Sequence, residues 1–488
     1  NPFPAVSARV CDRKCEHRCS LGVSGGEGIA VRAMKRFITD RVDPSAYQPK
    51  VRAATNGRAK KVAVIGAGPA GLTAAHNLSL RGYKVTVFEA EQEAGGMLAC
   101  SLPAYRLPRR IVRDEIKTLM NENITMRHGV LLGRDMTIDD LFAEGFKAVF
   151  LATGAHESWR LNLEGEDLES VYPSMEFLKA FNLRGEELAH GHVGIVGGGN
   201  SAVDAARVAL REKDVTCVTL LYRRTRDEMP AYEEEVEAAL EEGVTIETLV
   251  SPVKLHVRQE EIETALREGV ELETLVSPIR IQSQEGRLVG IECIRNRLGE
   301  VDASGRRKPV PVPGTKFTLS LDTLIVAIGE RPESDGLTAM GLEIDKRGRV
   351  KIDPKTLATS REGVFAGGDL VTGPNTVIDA IAAGKKVARI IDRYLRDEPL
   401  ADPAEPKLPT VFLEPAVVGE EELETATRAA PPVLPVEKRR KNFNEVERSL
   451  SEEQARAEAR RCLRCDLAFT QDPKAACEQP AAIGEKQA

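Results

Sequence analysis

Two glycine-bearing turns, each set between a short apolar run and a helix-forming stretch, constrain this chain more than any other feature. The first is Gly66-Ala67-Gly68-Pro69-Ala70-Gly71. An apolar run at 61–65 precedes it, a helical pattern at 72–81 follows, and a second run at 84–89 ends on Glu89. The second turn is Gly197-Gly198-Gly199-Asn200-Ser201-Ala202, between a run at 193–195 and a helical pattern at 203–211, with another run at 215–222. Strand, glycine turn, helix and strand, in that order, make a dinucleotide-binding βαβ unit. The first glycine allows the tight turn, the second lets backbone N–H groups approach a pyrophosphate, and the third lets helix pack on strand. The phosphates then sit on the positive end of the helix.

The two units differ where each binds its ribose. The first ends on an acid, Glu89, which suits a ribose hydroxyl pair. The second ends at Tyr222 and is followed by Arg223 and Arg224. An arginine pair suits a 2′-phosphate, so NADP is favoured over NAD there. The alternative is a solvated pair at an exposed strand end. A later segment, Gly363-Val364-Phe365-Ala366-Gly367-Gly368-Asp369, marks the first dinucleotide as FAD. Its Gly-Asp is expected near the ribityl and phosphate region, and the helix from about 376 to 395 is expected to point at the pyrimidine end of the ring.

This order sets an expected organisation. The fold class is α/β, with two Rossmann-like dinucleotide-binding domains, the nicotinamide domain being inserted in the FAD domain. The expected parts are a helical iron–sulfur segment at 1–58, FAD domain at 59–185 and 326–396, NAD(P)-binding domain at 186–325, and an extended C-terminal tail with a Cys motif at 397–488. The strand at 323–329, running into Gly329-Glu330-Arg331-Pro332, is assigned to the FAD domain. The tail carries Pro403, Pro406, Pro409, Pro415, Pro431, Pro432 and Pro435, as an extended segment would. A charged helix at 451–461 delivers Cys462. Glu234–Leu255 and Glu260–Ile281 match at most positions and read as a local tandem duplication of helix then strand.

Six of the nine Cys are clustered, Cys11, Cys15 and Cys19 near one end and Cys462, Cys465 and Cys477 near the other, while Cys100, Cys217 and Cys293 lie singly between. Clustered Cys in a large chain read as metal or cluster ligands more than as disulfides, and place the protein in a reducing, cytoplasmic setting. A cubane cluster wants about four thiolates, and the first trio supplies three. Zinc and a plain structural role are the competing readings. Cys462-Leu463-Arg464-Cys465 is a weaker second set. Near the FAD motifs only Cys100 stands, so a redox dithiol beside the flavin is not expected. Hydride transfer needs stacked rings rather than a general base, so no catalytic side chain is assigned.

Composition closes off other classes. The net charge is −7, with a single Trp and seven Tyr. That is a poor surface for nucleic acid. No apolar run approaches the roughly 20 residues of a membrane span.

Further motifs resemble one family. They are Arg9-Val10-Cys11 with Cys15 and Cys19, Arg36-Phe37-Ile38-Thr39-Asp40, and Gly95-Gly96-Met97-Leu98. They continue with Leu102-Pro103-Ala104-Tyr105-Arg106-Leu107-Pro108, Ala152-Thr153-Gly154, Tyr222-Arg223-Arg224 with 227–231, and Gly367-Gly368-Asp369. The chain resembles the small subunit of bacterial glutamate synthase and its relatives. These include the NADPH-binding half of dihydropyrimidine dehydrogenase and the FAD subunits of bifurcating transhydrogenases. The resemblance implies FAD, NADP or NAD, and [4Fe–4S] clusters relaying electrons to other redox subunits that carry the terminal substrate site. It places cofactor contacts at Gly66, Gly68, Pro69, Ala70, Gly71, Glu89, Gly96, Met97, Leu98, Arg106, Ala152, Thr153, Gly154, Gly329, Gly368, Asp369 and Thr376. For the nicotinamide dinucleotide it implies Gly197, Gly199, Asn200, Ser201, Arg223 and Arg224. Cys11, Cys15 and Cys19 are the implied cluster ligands, with Cys462 and Cys465 as further metal candidates. Lys35 and Arg36 stand where the dihydropyrimidine relative has a glutamine ligand. Stand-alone ferredoxin or disulfide reduction and a non-enzymatic flavin scaffold are the alternative functions.

Overall fold

The computed structural model describes residues 1–43, 51, 60–249, 276–302, 305–401, 412–414, 426–468 and 470. Cys477 and most of the second copy of the duplication lie outside them. The chain divides into two compact units. The larger comprises residues 1–2, 49–400 and 434–446, and the smaller 3–48, 401–433 and 447–488.

The larger unit is built on two parallel sheets. The first has the order Val364–Ala366, Phe146–Leu151, Lys61–Ile65, Lys84–Glu89, Ile124–His128. Its central strand reads Lys-Val-Ala-Val-Ile and buries every residue after the lysine. Continuous apolar runs of this kind are what a parallel sheet covered on both faces requires. Helices Pro69–Leu80 and Val377–Leu395 pack together on it. A Cβ at Gly384 would lie 2.4 Å from the Ala70 carbonyl oxygen, so a glycine there lets the two helix backbones meet.

The second sheet has the order Val171–Pro173, Thr323–Val326, Gly191–Val196, Val215–Thr225, Thr245–Leu249. This corrects one expectation. Strand Thr323–Val326, which the expected boundary at 325 cuts and the motif reading gave to the FAD domain, pairs in parallel with Gly191–Val196 and belongs wholly to the nicotinamide-side sheet. All four of its residues are buried, and its position beside the central strand is the one a fully apolar strand demands. Val171–Pro173 joins the same sheet at its edge. A third, antiparallel sheet, Val276–Gln284, Arg287–Val301 and Arg307–Ser320, was not foreseen from the sequence. The first copy of the duplication is helix Glu233–Glu242 followed by strand Thr245–Leu249, as its pattern suggested.

A buried charged network stands behind the nicotinamide-side sheet. Arg106 was expected at a cofactor. Its guanidinium is instead enclosed by Asp204 at 2.7 Å and Glu235 at 2.9 Å. Arg207 pairs with Glu242 at 2.7 Å and lies over the Tyr105 ring, 4.4 Å from its centroid. Arg211 covers the same ring at 4.5 Å. Residues 434–446 lie across this network. Arg439 reaches Glu241 and Glu242, and Phe443 stacks 4.4 Å from Phe181. Val446 donates its N–H to the Tyr105 carbonyl at 2.9 Å. Tyr105 and Arg106 come from the FAD-side motif, whereas Asp204, Arg207 and Glu235 come from the nicotinamide side, so the network ties the two halves of this unit together.

The smaller unit has a modest core of Ala30, Ala33, Leu450 and Ala455, with Met34 and Phe37 against it. Ion pairs do much of the joining. Arg9 and Arg36 both bond Asp40, at 2.7 and 3.2 Å, and Arg32 bonds Glu447 at 2.6 Å. The expected charged helix forms at Glu452–Arg460, started by a capping box between Ser451 and Gln454.

Removing one member of a buried ion pair strands its partners and costs about 3–5 kcal/mol. Arg106→Ala should therefore lower the unfolding midpoint in urea clearly. Arg134→Ala, which breaks an exposed pair with Asp135, should leave it nearly unchanged.

Candidate cofactor sites

The first cradle is shaped by backbone contacts that a side chain would block. Gly66 has φ of +101°, and a Cβ there would lie 2.4 Å from the Ala152 carbonyl oxygen. A Cβ at Gly71 would lie 2.0 Å from the Gly66 oxygen. Gly96, at φ of +54°, presses on Gly68, where its Cβ would come within 2.9 Å of Cα. The sequence-predicted residues Gly66, Gly68, Gly71, Gly96, Ala152 and Thr153 are thus brought together around one turn. Helix Pro69–Leu80 begins there with Pro69 at its first turn, Gly68 as N-cap and no side-chain cap. Glu89 accepts N–H bonds from Ala67 at 2.6 Å and Glu91 at 2.9 Å, which fixes its carboxylate beside the turn. Met97 and Leu98 open the short helix Met97–Cys100, whose N-cap is Gly96. Gly154 follows the Phe146–Leu151 strand at φ of +78°.

The late Gly-Asp meets this cradle. Gly368 has φ of +70°, and a Cβ there would stand 3.2 Å from that of Ala70. Asp369 follows it. Its Oδ1 is shut from solvent with no hydrogen-bond partner among the described residues. Burial pushes this carboxyl up to about 7, against a bond from the Asn375 backbone that lowers it. A buried unpaired acceptor beside a glycine turn is what a ligand hydroxyl would satisfy, so these residues fit FAD. Thr376 caps helix Val377–Leu395, accepting from Asp379 N and donating to its carboxylate at 2.6 Å.

The second cradle repeats the scheme. Gly197 has φ of +152°, and a Cβ there would lie 2.1 Å from the Ala327 carbonyl oxygen. At Gly198 a Cβ would enter the Tyr222 ring at 2.4 Å. Gly199 has only Pro230 at 3.9 Å, so the approach to helix Asn200–Ala209 is open there. Asn200 uses its carboxamide oxygen to hold the Tyr232 N–H at 3.0 Å. Ser201 bonds the side chain of Glu330. The two arginines part company. Arg224 is buried, bonded to the Arg307 carbonyl at 2.7 Å and to Asp302 at 2.5 Å. Arg223 is exposed. Of the pair, Arg223 is the one open to solvent.

In the smaller unit the Cys residues lie among short helical turns, Lys14–His17, entered through Arg13 at φ of +57°, and Ser20–Val23, which has Cys19 as its N-cap. Cys11 is buried, Cys15 exposed and Cys19 half-buried. The Cys19 sulfur accepts backbone N–H bonds from Ile29, Leu21 and Gly22, which hold its thiol below the ordinary range despite some burial. Burial raises Cys15, and the neighbouring Cys11 raises it further. Backbone donors turned on a sulfur suit a metal-bound thiolate, so the donor chemistry fits a cluster. No set of three or more His, Cys, Asp or Glu among the described residues stands ready to hold a metal ion. The Cys465 sulfur lies 3.3 Å from Ser20 Oγ, next to Cys19, and Cys462 is exposed. Arg36, at the position expected from the resemblance to differ from a glutamine ligand, is buried against Asp40.

Cys100 is buried between Met97 Sδ at 3.8 Å and His156 Nδ1 at 4.0 Å. Burial pushes its thiol up to about 12 and His156 down to about 4. A thiol so hard to ionise is a poor nucleophile.

Comparison with known proteins agrees with this geometry. Residues 60–384 match the family described as pyridine nucleotide-disulphide oxidoreductase, and residues 1–46 match dihydropyrimidine dehydrogenase domain II, 4Fe-4S cluster. The chain is 40% identical to the NADP(+)-dependent formate dehydrogenase subunit beta of Moorella thermoacetica, over 94% of this chain and 65% of that protein. It is 35% identical to the NADPH-Fe(3+) oxidoreductase subunit beta of Geobacter sulfurreducens, over 95% and 70%. It is 33% identical to the glutamate synthase [NADPH] small chain of Escherichia coli, over 81% of each. The chain thus spans just under two thirds of the formate dehydrogenase subunit's length. In fold it is similar to Mycobacterium tuberculosis FprA in complex with NADPH, with a TM-score of 0.56, 20% identity and coverage of 70% and 85%. Among the described residues, no helix is long and apolar enough to cross a membrane. The matches imply FAD, NAD(P) and a 4Fe–4S cluster as cofactors. With two glycine cradles in one unit and a cluster-type segment before them, the chain belongs to the pyridine nucleotide-disulphide oxidoreductase family and is an NAD(P)H-dependent FAD oxidoreductase.

Proposed function

We propose that this chain is the NADPH-handling electron-transfer subunit of a larger complex, whose terminal chemistry lies in a partner subunit. One observation carries the reading. Two glycine cradles share a unit, and the buried pairing of Arg106 with Asp204 and Glu235 ties together the halves that carry them. Bound FAD would supply a two-electron acceptor that releases electrons one at a time, which is the conversion needed between a hydride donor and iron–sulfur centres.

The chain's own residues do the positioning. Gly66, Gly68 and the open first turn of helix Pro69–Leu80 would take the FAD pyrophosphate, and Glu89 the ribose. Asp369 would accept from a ribityl hydroxyl. Gly197, Gly199 and the first turn of helix Asn200–Ala209 would take the second pyrophosphate. Arg223 would meet the 2′-phosphate, with Arg224 held by Asp302 behind it. Cys11, Cys15 and Cys19 would hold the cluster, Cys19 as a thiolate under its three backbone donors. The subunit names of the formate dehydrogenase and iron(III) oxidoreductase relatives support a partner subunit. The buried, unionised Cys100 speaks against a dithiol-reducing role.

Charge-assisted hydrogen bonds contribute about 1.5–3 kcal/mol. Arg223→Ala should therefore cut the preference for NADPH over NADH in flavin reduction roughly 10- to 100-fold, read from the two kcat/KM values. An unchanged ratio would remove Arg223 from the phosphate site. Cys19→Ser should lower the iron and acid-labile sulfide content while leaving FAD content unchanged. Full iron in that variant would take Cys19 out of the ligand set.

A further inference from the structure

Glu330 is a half-buried acid beside the second cradle, with one enclosed oxygen left over. It follows Gly329, whose φ of +113° turns the chain out of the nicotinamide-side sheet. Its backbone is fixed by antiparallel pairing, Glu330 with Ser158 and Arg331 with Glu157, and by the Trp159 N–H donating to the Gly329 carbonyl at 2.9 Å. The adjacent cation is not aimed at it. Arg331 pairs with Glu157, its guanidinium 4.8 Å from the centre of the Trp159 ring. On the other side Ser201, in the first turn of the cradle helix, bonds the Glu330 carboxyl. Its Oε1 is shut from solvent and has no hydrogen-bond partner among the described residues. Asp369, from the FAD-side turn, is close enough that a charged Glu330 would hinder its ionisation.

The glycine turn of the second cradle accounts for the phosphates, and Arg223 for the 2′-phosphate. Neither accounts for a polar group at the far end of the dinucleotide, where the ring must be set face to face with the flavin. We infer that Glu330 holds the carboxamide of the nicotinamide, and so sets which face and register of that ring meets the flavin. This rests on the two-cofactor reading above. The chemistry of the pair is complementary. A protonated carboxyl presents one donor and one acceptor, and a primary amide presents one acceptor and two donors. An ionised carboxyl could accept from the amide N–H but would oppose its carbonyl. Burial raises Glu330 toward the protonated form against the Ser201 bond. The groups facing it are Ser201 on the cradle helix, Asp369 on the late turn, and Arg331 with Glu157 on the paired strands. None among them offers Oε1 a bond.

The test is equilibrium binding to the FAD-loaded chain with two probes, NADP+ and 2′,5′-ADP, which has the adenosine and phosphates but no nicotinamide. Glu330→Leu should raise the NADP+ Kd about tenfold and leave that of 2′,5′-ADP unchanged. Glu330→Gln keeps a donor and an acceptor and should bind both as the parent chain does. The long-wavelength charge-transfer absorbance of stacked nicotinamide and flavin should fade in the Leu variant and persist in the Gln variant. If Glu330→Leu binds NADP+ as the parent does, or loses both probes equally, the inference is overturned while the cradle assignment stands. A parent chain that binds neither probe would overturn the two-cofactor reading and the inference with it.

Discussion

Backbone must meet backbone at the ends of two strands, and this constraint governs the larger unit. A Cβ at Gly71 would lie 2.0 Å from the Gly66 oxygen, and one at Gly197 would lie 2.1 Å from the Ala327 oxygen. Each helix can begin directly over its strand because nothing intervenes. Its first-turn N–H groups are then left facing outward without side-chain caps, and unpaired donors at a helix start are an anion site. Asp369 and Glu330 are half-buried acids at the two sites, each with one enclosed oxygen to spare.

A site made of two cradles works only if their relation is fixed, and the buried charges serve that end. Arg106 reaches from the FAD side to Asp204 and Glu235 on the nicotinamide side. Arg207 and Arg211 enclose the Tyr105 ring, and Phe443 and Arg439 seal the arrangement from outside. Such networks are poor sources of net stability but are costly to break, which suits a joint that must keep one geometry.

Glycine turns and apolar strands were legible in the sequence because each is a local requirement. Gly66, Gly197 and Gly368 adopt positive φ, and runs such as 61–65 could be placed nowhere but inside. Arg106 and Arg224 were harder to read. An arginine beside a cofactor motif looks the same whether it meets a phosphate or a carboxylate such as Asp204 or Asp302, and only tertiary placement decides. The strand Thr323–Val326 was misplaced because its neighbour, Gly191–Val196, is far away in the chain. Glu330 was visible as part of a Gly-Glu-Arg-Pro turn. An acid directly after a glycine that ends an apolar strand was the available signal. The antiparallel sheet at 276–320 had alternating burial that the sequence pattern only weakly displayed.

The central claim is that one chain passes electrons from a nicotinamide dinucleotide through its flavin to its own cluster. The most direct measurement is an anaerobic NADPH titration of the purified chain carrying FAD and iron, following flavin absorbance and low-temperature electron paramagnetic resonance on the same samples. The account predicts loss of the oxidised flavin band together with the appearance of a reduced-cluster signal. A flavin band left unchanged by excess NADPH, in protein shown to contain both cofactors, would contradict it.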